Sequence, residues 1–262
     1  MFRYGSWHAD AERGTLTCRY SLDGREFAER VTLAPGPAWR TEAARAAARL
    51  VFLLAGVSYY KTAAPPVIDF GPTALTEAEL AFLRDFYLQG LGEFAYRNHL
   101  DLMNLRIEAG QAGALQSAGP RDPHASQRAL IPFGGGIDSI VVVERVRRLA
   151  DAALFVVSRP ADRFAAIEAP AAVTGLPIVR AEREIDEQLL RSRDLGFRNG
   201  HVPVTGIISA LAVLAAVLED RDAVVMSNEW SASIPTLQDG SRAINHQWSK
   251  SSEFEAGFRE AA

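Results

Sequence analysis

The sequence predicts an α/β protein in which a smaller α+β unit precedes a doubly wound parallel sheet. Three observations predict it. From residue 129 onward, short apolar runs alternate with helical patterns, as in parallel strands joined by crossover helices. One of those runs, residues 152–158, is apolar without interruption, as expected of a strand covered on both faces. Ahead of it the texture differs: an alternating hairpin, two helical patterns, then a stretch from 108 to 128 rich in Gly, Ala, Ser and Pro. This divides the chain into an N-terminal α+β domain over 1–107, a linker over 108–128 and an α/β domain over 129–262.

The elements follow in order. Residues 1–8 are polar and aromatic and lack a signal-peptide pattern. Residues 15–20 and 25–33 flank Ser21, Leu22, Asp23 and Gly24, a hairpin signal. Cys18, the only cysteine, lies in that alternation and reads as a strand residue. It leaves no partner for an intrachain disulfide and no Cys-rich metal site, which suits a reducing cytoplasm. Thr41 caps a helix over 41–60, with Leu50, Leu53, Leu54 and Val57 on its apolar face. A strand follows at 67–70. Thr76 and Glu79 make a capping box, and Leu80, Leu83, Tyr87, Leu91, Phe94 and Leu100 stripe the helix that it starts.

Beyond the linker, 129–133 reads as a strand. A helix over 137–150 follows, with Ile137, Ile140, Val141, Val143, Val146 and Leu149 inward. Strands at 152–158 and 177–181 alternate with helices at 163–174, which contains Pro170, and 184–191. A long helix over 203–219 and a strand at 223–226 complete the pattern. The uncharged run 202–218 falls short of the ~20 residues of a membrane span. Pro203, Thr205, Gly206 and Ser209 mark it instead as a buried helix. A net charge of −4 gives no general attraction to nucleic acid or anionic membranes.

The chemistry concentrates after the first strand of the second part, at Gly134, Gly135, Gly136, Ile137, Asp138 and Ser139. Three glycines clear side chains from where a backbone approaches a large anion. Their amides can form a nest, to which the following helix adds its positive end. Ser139 can donate to a phosphate oxygen. Asp138 would repel phosphate unless a cation lies between, which argues for Mg²⁺. The loop lacks the Gly-Lys-Ser/Thr end of a Walker A motif, and no acid closes the next strand as in a dinucleotide fold.

With Phe133 in front of it, this loop resembles the pyrophosphate loop Ser-Gly-Gly-x-Asp-Ser of the N-type ATP pyrophosphatases, with Gly134 in place of the first Ser. The resemblance implies an adenine nucleotide alpha hydrolase-like, HUP-type sheet and cleavage of ATP to AMP and pyrophosphate. In that fold the fourth strand lies beside the first, so the residues leaving it face the loop at a strand-order reversal. Asn228, Glu229 and Trp230 occupy that position. Glu229 is a candidate second Mg²⁺ ligand or a base, and Trp230 suits packing or stacking. Before the long helix stand Arg198, Asn199, Gly200, His201 and Thr205, where free amides can hold another anion and His201 can carry a proton. Residues 245–255 place His246, Lys250, Ser251, Ser252 and Glu253 close together, as a polar site or a capped helix start.

Together, residues 133–139, 199–205, 226–231 and 245–255 closely resemble the family of ATP-dependent UDP-N-acetylmuramoyl-L-alanyl-L-glutamate epimerases of bacterial peptidoglycan synthesis. The resemblance implies that a nucleotide-sugar dipeptide is the substrate, with ATP and Mg²⁺. Family members continue well beyond position 262, so this chain is expected to lack a C-terminal half or to work with a partner chain. A two-cysteine racemase mechanism is not open to a chain with Cys18 alone. Only two lysines are present, Lys61 and Lys250, and neither sits in an evident pyridoxal phosphate cup. Adenylating the glutamate α-carboxylate would instead acidify the neighbouring proton enough for one ordinary base. In that scheme the Gly134–Gly136 amides and Ser139 hold pyrophosphate, and Asp138 with Glu229 holds Mg²⁺. The candidate bases are His201, His246 and Glu229. Arg198, Asn199, Thr205, Asn228 and Lys250 are the substrate-binding candidates. Two alternatives stay open: a related ATP pyrophosphatase that adenylates an acid for amide formation, and a non-catalytic nucleotide-binding module.

Overall fold

The structure is a computed structural model that describes residues 1–112, 128–148, 151–240 and 242–262. The chain opens with an antiparallel meander of β1 (Phe2–Asp10), β2 (Thr15–Leu22) and β3 (Arg25–Thr32). Asp23 and Gly24, with φ of 49° and 84°, make the turn between β2 and β3. Positive φ at both positions matches the twist of the flanking strands. Thr41 caps α1 (Glu42–Ala55) by accepting the Ala44 N–H at 3.1 Å, and α2 (Val57–Tyr60) follows. Gly56, between them, lets Tyr4 approach: a Cβ there would lie 2.5 Å from the Tyr4 hydroxyl. That hydroxyl donates to the Leu53 carbonyl at 2.6 Å and lies 2.7 Å from the hydroxyl of Tyr87. Next come β4 (Val67–Leu75), α3 (Glu77–Leu88), α4 (Gly92–Arg97) and β5 (Arg106–Gln111). Thr76 and Glu79 form the expected capping box at the start of α3.

The second part runs β6 (Arg128–Pro132), α5 (Ile137–Val146), β7 (Asp151–Ser158), α6 (Ala165–Thr174), β8 (Ile178–Glu184), α7 (Glu187–Leu190), α8 (Val204–Leu218) and β9 (Ala223–Val224). A small hairpin, β10 (Leu237–Asp239) and β11 (Arg242–Ile244), and α9 (Ser252–Ala261) complete it. Ser251 caps α9 by accepting the Phe254 N–H at 3.1 Å.

Among the described residues, β1 to β9 form one large sheet in the order β5-β4-β1-β2-β3-β8-β7-β6-β9. Most of its neighbours are parallel; β1/β2, β2/β3 and β3/β8 are antiparallel. From β6 the chain winds outward through β7 to β8, then returns to lay β9 on the other side of β6. Side chains alternate across this part. Ile131, Phe133, Leu154 and Val156 pack with Val143 of α5 and Ala171 of α6 on one face. Leu130, Ala153, Phe155 and Ala181 join the main core, with α1, α3 and α8, on the other.

The expected boundary at 108–128 does not interrupt the sheet, because β3 pairs with β8. At that seam Glu29, 1% exposed, accepts from Arg183 at 2.8 and 3.1 Å and from the Tyr59 hydroxyl at 3.0 Å. A buried carboxylate is tolerable only when paired and hydrogen-bonded in this way.

Several expectations need correction. Residues 2–10 form a strand, because Phe2 and Tyr4 find a core while Arg3 and Gly5 face out. The first residues of the expected linker, 108–111, pair with β4 inside β5, and residue 128 opens β6; residues 113–127 lie outside the described residues. The helix predicted from Thr76 to Leu100 breaks into α3 and α4, and Leu80 is exposed. The helix predicted over 184–191 is only the single turn of α7, since pairing with β7 and β3 extends β8 to Glu184. Pro170 is accommodated inside α6. In α5 the predicted inward set is out of phase. Val143 is buried, whereas Ile137, Ile140 and Val141 are exposed; Leu149 lies outside the described residues.

The seam sets a stability expectation. Glu29→Ala strands a buried guanidinium and should cost about 3–5 kcal/mol in urea unfolding. Thr76→Ala removes only a helix cap and should cost about 1 kcal/mol.

Candidate active site

Crossover helices run back against the strands they follow. The loop after β6, the start of α8 and the chain leaving β9 therefore all emerge at the carboxyl edge of the parallel strands. Strand order reverses between β6 and β9, and crevices at such reversals are where open α/β sheets bind ligands.

Gly135 has φ 75°, and a Cβ on it would lie 2.4 Å from the Ala166 carbonyl oxygen in the first turn of α6. Only glycine allows the loop to lie there. Gly134 and Gly136 differ: nothing lies within 4 Å of where their Cβ atoms would be, so their backbone is open to approach. Gly136 is the N-cap of α5 and supplies no side-chain acceptor, which leaves the first amides of the helix available to an anion. Asp138 is exposed in that first turn. Ser139 is buried, and its hydroxyl donates to the Gly136 carbonyl at 2.7 Å. It closes the loop and directs its proton inward.

β9 sits beside β6 in the register Ala129↔Ala223 and Leu130↔Val224, and Val225 N–H still reaches the Leu130 carbonyl at 2.9 Å. Asn228 is half-buried, Glu229 is exposed, and Trp230 is 81% exposed, so Trp230 does not pack into the core. The turn after Glu229 is held by Asn245, which donates to the Ala232 carbonyl at 2.7 Å. Asp138 follows β6 and Glu229 follows β9, the strand beside it. Among the described residues no group of three or more His, Cys, Asp or Glu gathers as a metal cage.

His201 and His246 come together, with ring centroids 6.1 Å apart and planes at 78°. Thr236 Oγ1 lies 2.9 Å from His246 Nδ1. Burial holds His201 below its ordinary 6.5; the Glu93 carboxylate and the His246 main chain oppose this, while the charges of the His246 ring and Lys250 add to it. A neutral imidazole near neutral pH suits a proton acceptor. Thr205 lies in the first turn of α8, whose N-cap, Pro203, offers no side-chain acceptor. Arg198 and Asn199 are exposed. Their loop is pinned at its main chain: Arg198 N–H donates to the Thr62 carbonyl at 2.9 Å, and the Asn98 side-chain amide donates to the Asn199 carbonyl at 3.2 Å.

Sequence reasoning missed the contribution of the N-terminal part to this edge. Glu93 pairs with Arg97 at 2.7 Å as an ordinary i,i+4 helix-surface acid, and nothing local marks that its charge also acts on His201. Lys61 reaches the Gly200 carbonyl at 3.5 Å, and burial lowers its ammonium from the ordinary value. Its only advance signal was the rarity of lysine.

Comparison with known proteins adds a second line of observation. A family described as MurL N-terminal domain matches residues 1–262. Three relatives are named UDP-N-acetyl-alpha-D-muramoyl-L-alanyl-L-glutamate epimerase. That of Xanthomonas oryzae pv. oryzae is 38% identical over 269 residues, covering 98% of this chain and 57% of the relative. That of Micromonospora sp. is 40% identical over 270 residues, covering 99% and 59%. That of Salinispora tropica is 39% identical over 270 residues, covering 99% and 58%. The chain thus spans less than two thirds of these relatives' own length. No solved structure matches.

Two outcomes follow from the geometry. Gly135→Ala should lower the melting temperature, through its left-handed backbone and its contact with Ala166, while Gly136→Ala leaves it nearly unchanged. An NMR titration should find His201 protonating below 6.5, and Glu93→Gln should move that midpoint further down. The unfolded chain takes up this proton first, so the neutral imidazole's contribution to stability is lost as pH falls below about 6.5.

Proposed function

The chain belongs to the MurL N-terminal domain family, and from that membership we propose that it forms the ATP-using part of an epimerase that inverts the terminal L-glutamate of UDP-N-acetylmuramoyl-L-alanyl-L-glutamate. The observation that carries the proposal is the open backbone at Gly134 and Gly136, on the uncapped start of α5 beside the strand-order reversal. In this reading the second part of the sheet is of HUP type and the loop is that of an N-type ATP pyrophosphatase.

ATP is a co-substrate in this scheme. One glutamate carboxylate oxygen attacks the α-phosphorus, and the bond to pyrophosphate breaks. The loop amides receive the leaving phosphates, whose charge they offset without side chains. Hard carboxylate oxygens at Asp138 and Glu229 suit Mg²⁺, which needs one or two carboxylates besides phosphate oxygens and water. When bound, the ion would neutralise part of the charge on pyrophosphate.

Masking the α-carboxylate as an acyl-adenylate, a mixed anhydride with AMP, removes its negative charge and acidifies the adjacent C–H. His201, kept neutral by burial, is the favoured base, and the His246 ring stands beside it. The proton returns to the opposite face, and water releases the D-glutamyl product and AMP. Lys250 and Arg198 are proposed to meet substrate phosphates or carboxylates. Asn199, Thr205 and Asn228 line the same edge as further polar contacts. A cytoplasmic setting fits a nucleotide-sugar substrate, and no helix among the described residues is long and apolar enough to cross a membrane.

The test incubates the protein with ATP, Mg²⁺ and the dipeptide substrate, then measures AMP and the D-glutamate content of the hydrolysed product. D-glutamate with one AMP per turnover is expected. Incorporation of added ammonia would point instead to amide synthesis, and ATP binding without AMP to a non-catalytic module. Asp138→Ala should abolish AMP release without changing the melting curve, because its side chain is exposed. His201→Asn should spare nucleotide binding and remove exchange of the α-proton with solvent deuterium.

A further inference from the structure

We propose that the flank formed by the apolar stripe of α5 and the outer edge of β9 is a docking surface. Its occupant is the segment that the relatives carry beyond the span they share with this chain.

Ile137, Ile140 and Val141 stand at helical spacing along one side of α5 and are 76%, 40% and 49% exposed. Ser139 and Val143, on the other side of the same helix, are buried against the sheet. An α-helix in a doubly wound protein ordinarily exposes a polar face; this one presents three β-branched side chains in its first half, and only the next turn carries the exposed Glu144–Arg147 ion pair. At the adjacent sheet edge, β9 pairs with β6 on one side only among the described residues. Residues 221–228 are all merely half-buried, whereas Ala129–Pro132 of β6 and 152–156 of β7 are buried. Val225 packs on the same sheet face as α5. Parallel strands are normally covered on both faces, and exposed edges are normally paired or protected.

The occupant follows from length. The shared span is 57–59% of the relatives, so about two fifths of each lies outside it, and the matching family is described as an N-terminal domain. That is enough chain to extend the sheet past β9 and to cover α5. Because Gly136 is the N-cap of α5, a segment seated on Ile137 would also border the glycine loop.

The test coexpresses this chain with the stretch of the Xanthomonas oryzae pv. oryzae relative outside the shared span. An equimolar complex is expected in analytical ultracentrifugation. Amide hydrogen exchange should slow in Ile137–Val146 and at 223–228 relative to the chain alone. Ile140→Asp combined with Val141→Asp should weaken association about tenfold or more while leaving the melting curve of the isolated chain unchanged. The same exchange comparison on one polypeptide that joins the two parts covers a segment that fails to fold separately. Absence of protection on α5 and β9 in the joined protein would overturn the proposal. So would a complex indifferent to the double substitution, or self-association of this chain through the α5 stripe. The readout is association, so loss of epimerase activity leaves the result interpretable.

Discussion

One buried ion pair joins the two parts of the sheet. Glu29 on β3 and Arg183 on β8 meet where the antiparallel meander abuts the parallel strands, and the Tyr59 hydroxyl completes the carboxylate's hydrogen bonds. Neither charge is tolerable there alone, because desolvation of a single buried ion outweighs what its surroundings return. The pair therefore fixes how β3 and β8 sit against each other, and through them how the N-terminal helices sit against the carboxyl edge of β6, β7 and β8. Lys61 and Asn98 reach the loop before α8, and the charge of Glu93 is felt there, because of that arrangement.

The carboxyl edge divides its chemistry between backbone and side chains. At the β6 exit, the polar equipment is main-chain amide, with Gly135 held by α6 and its neighbours left open. Ser139 is turned inward to its own loop. Toward α8 and β11, the equipment is imidazole and ammonium, partly buried and electrostatically coupled. The reaction proposed above would use both characters: a neutral cradle for charge already present, and a base for a proton to be moved.

The local elements were largely legible. Turn chemistry at Asp23 and Gly24, the cap at Thr41 and the capping box at Thr76 and Glu79 act over a few residues, so their pattern is complete in the sequence. The α5 phase was not legible, because apolar spacing marks a side without saying whether anything covers it. β1 and β5 were missed because each depends on partners far along the chain.

By itself the sequence determined the strand–loop–helix unit that presents Gly134–Ser139, the order of alternating elements after residue 128 and the solitary state of Cys18. These rest on backbone sterics, short-range hydrogen bonds and periodicity, all of which operate within a few residues. Only the tertiary structure decided that β3 would pair with β8, that His201 would stand against His246 under the influence of Glu93, and that Ile137, Ile140 and Val141 would remain uncovered. Burial and pairing between distant segments depend on which surfaces meet once the whole chain has collapsed, and no local pattern carries that information.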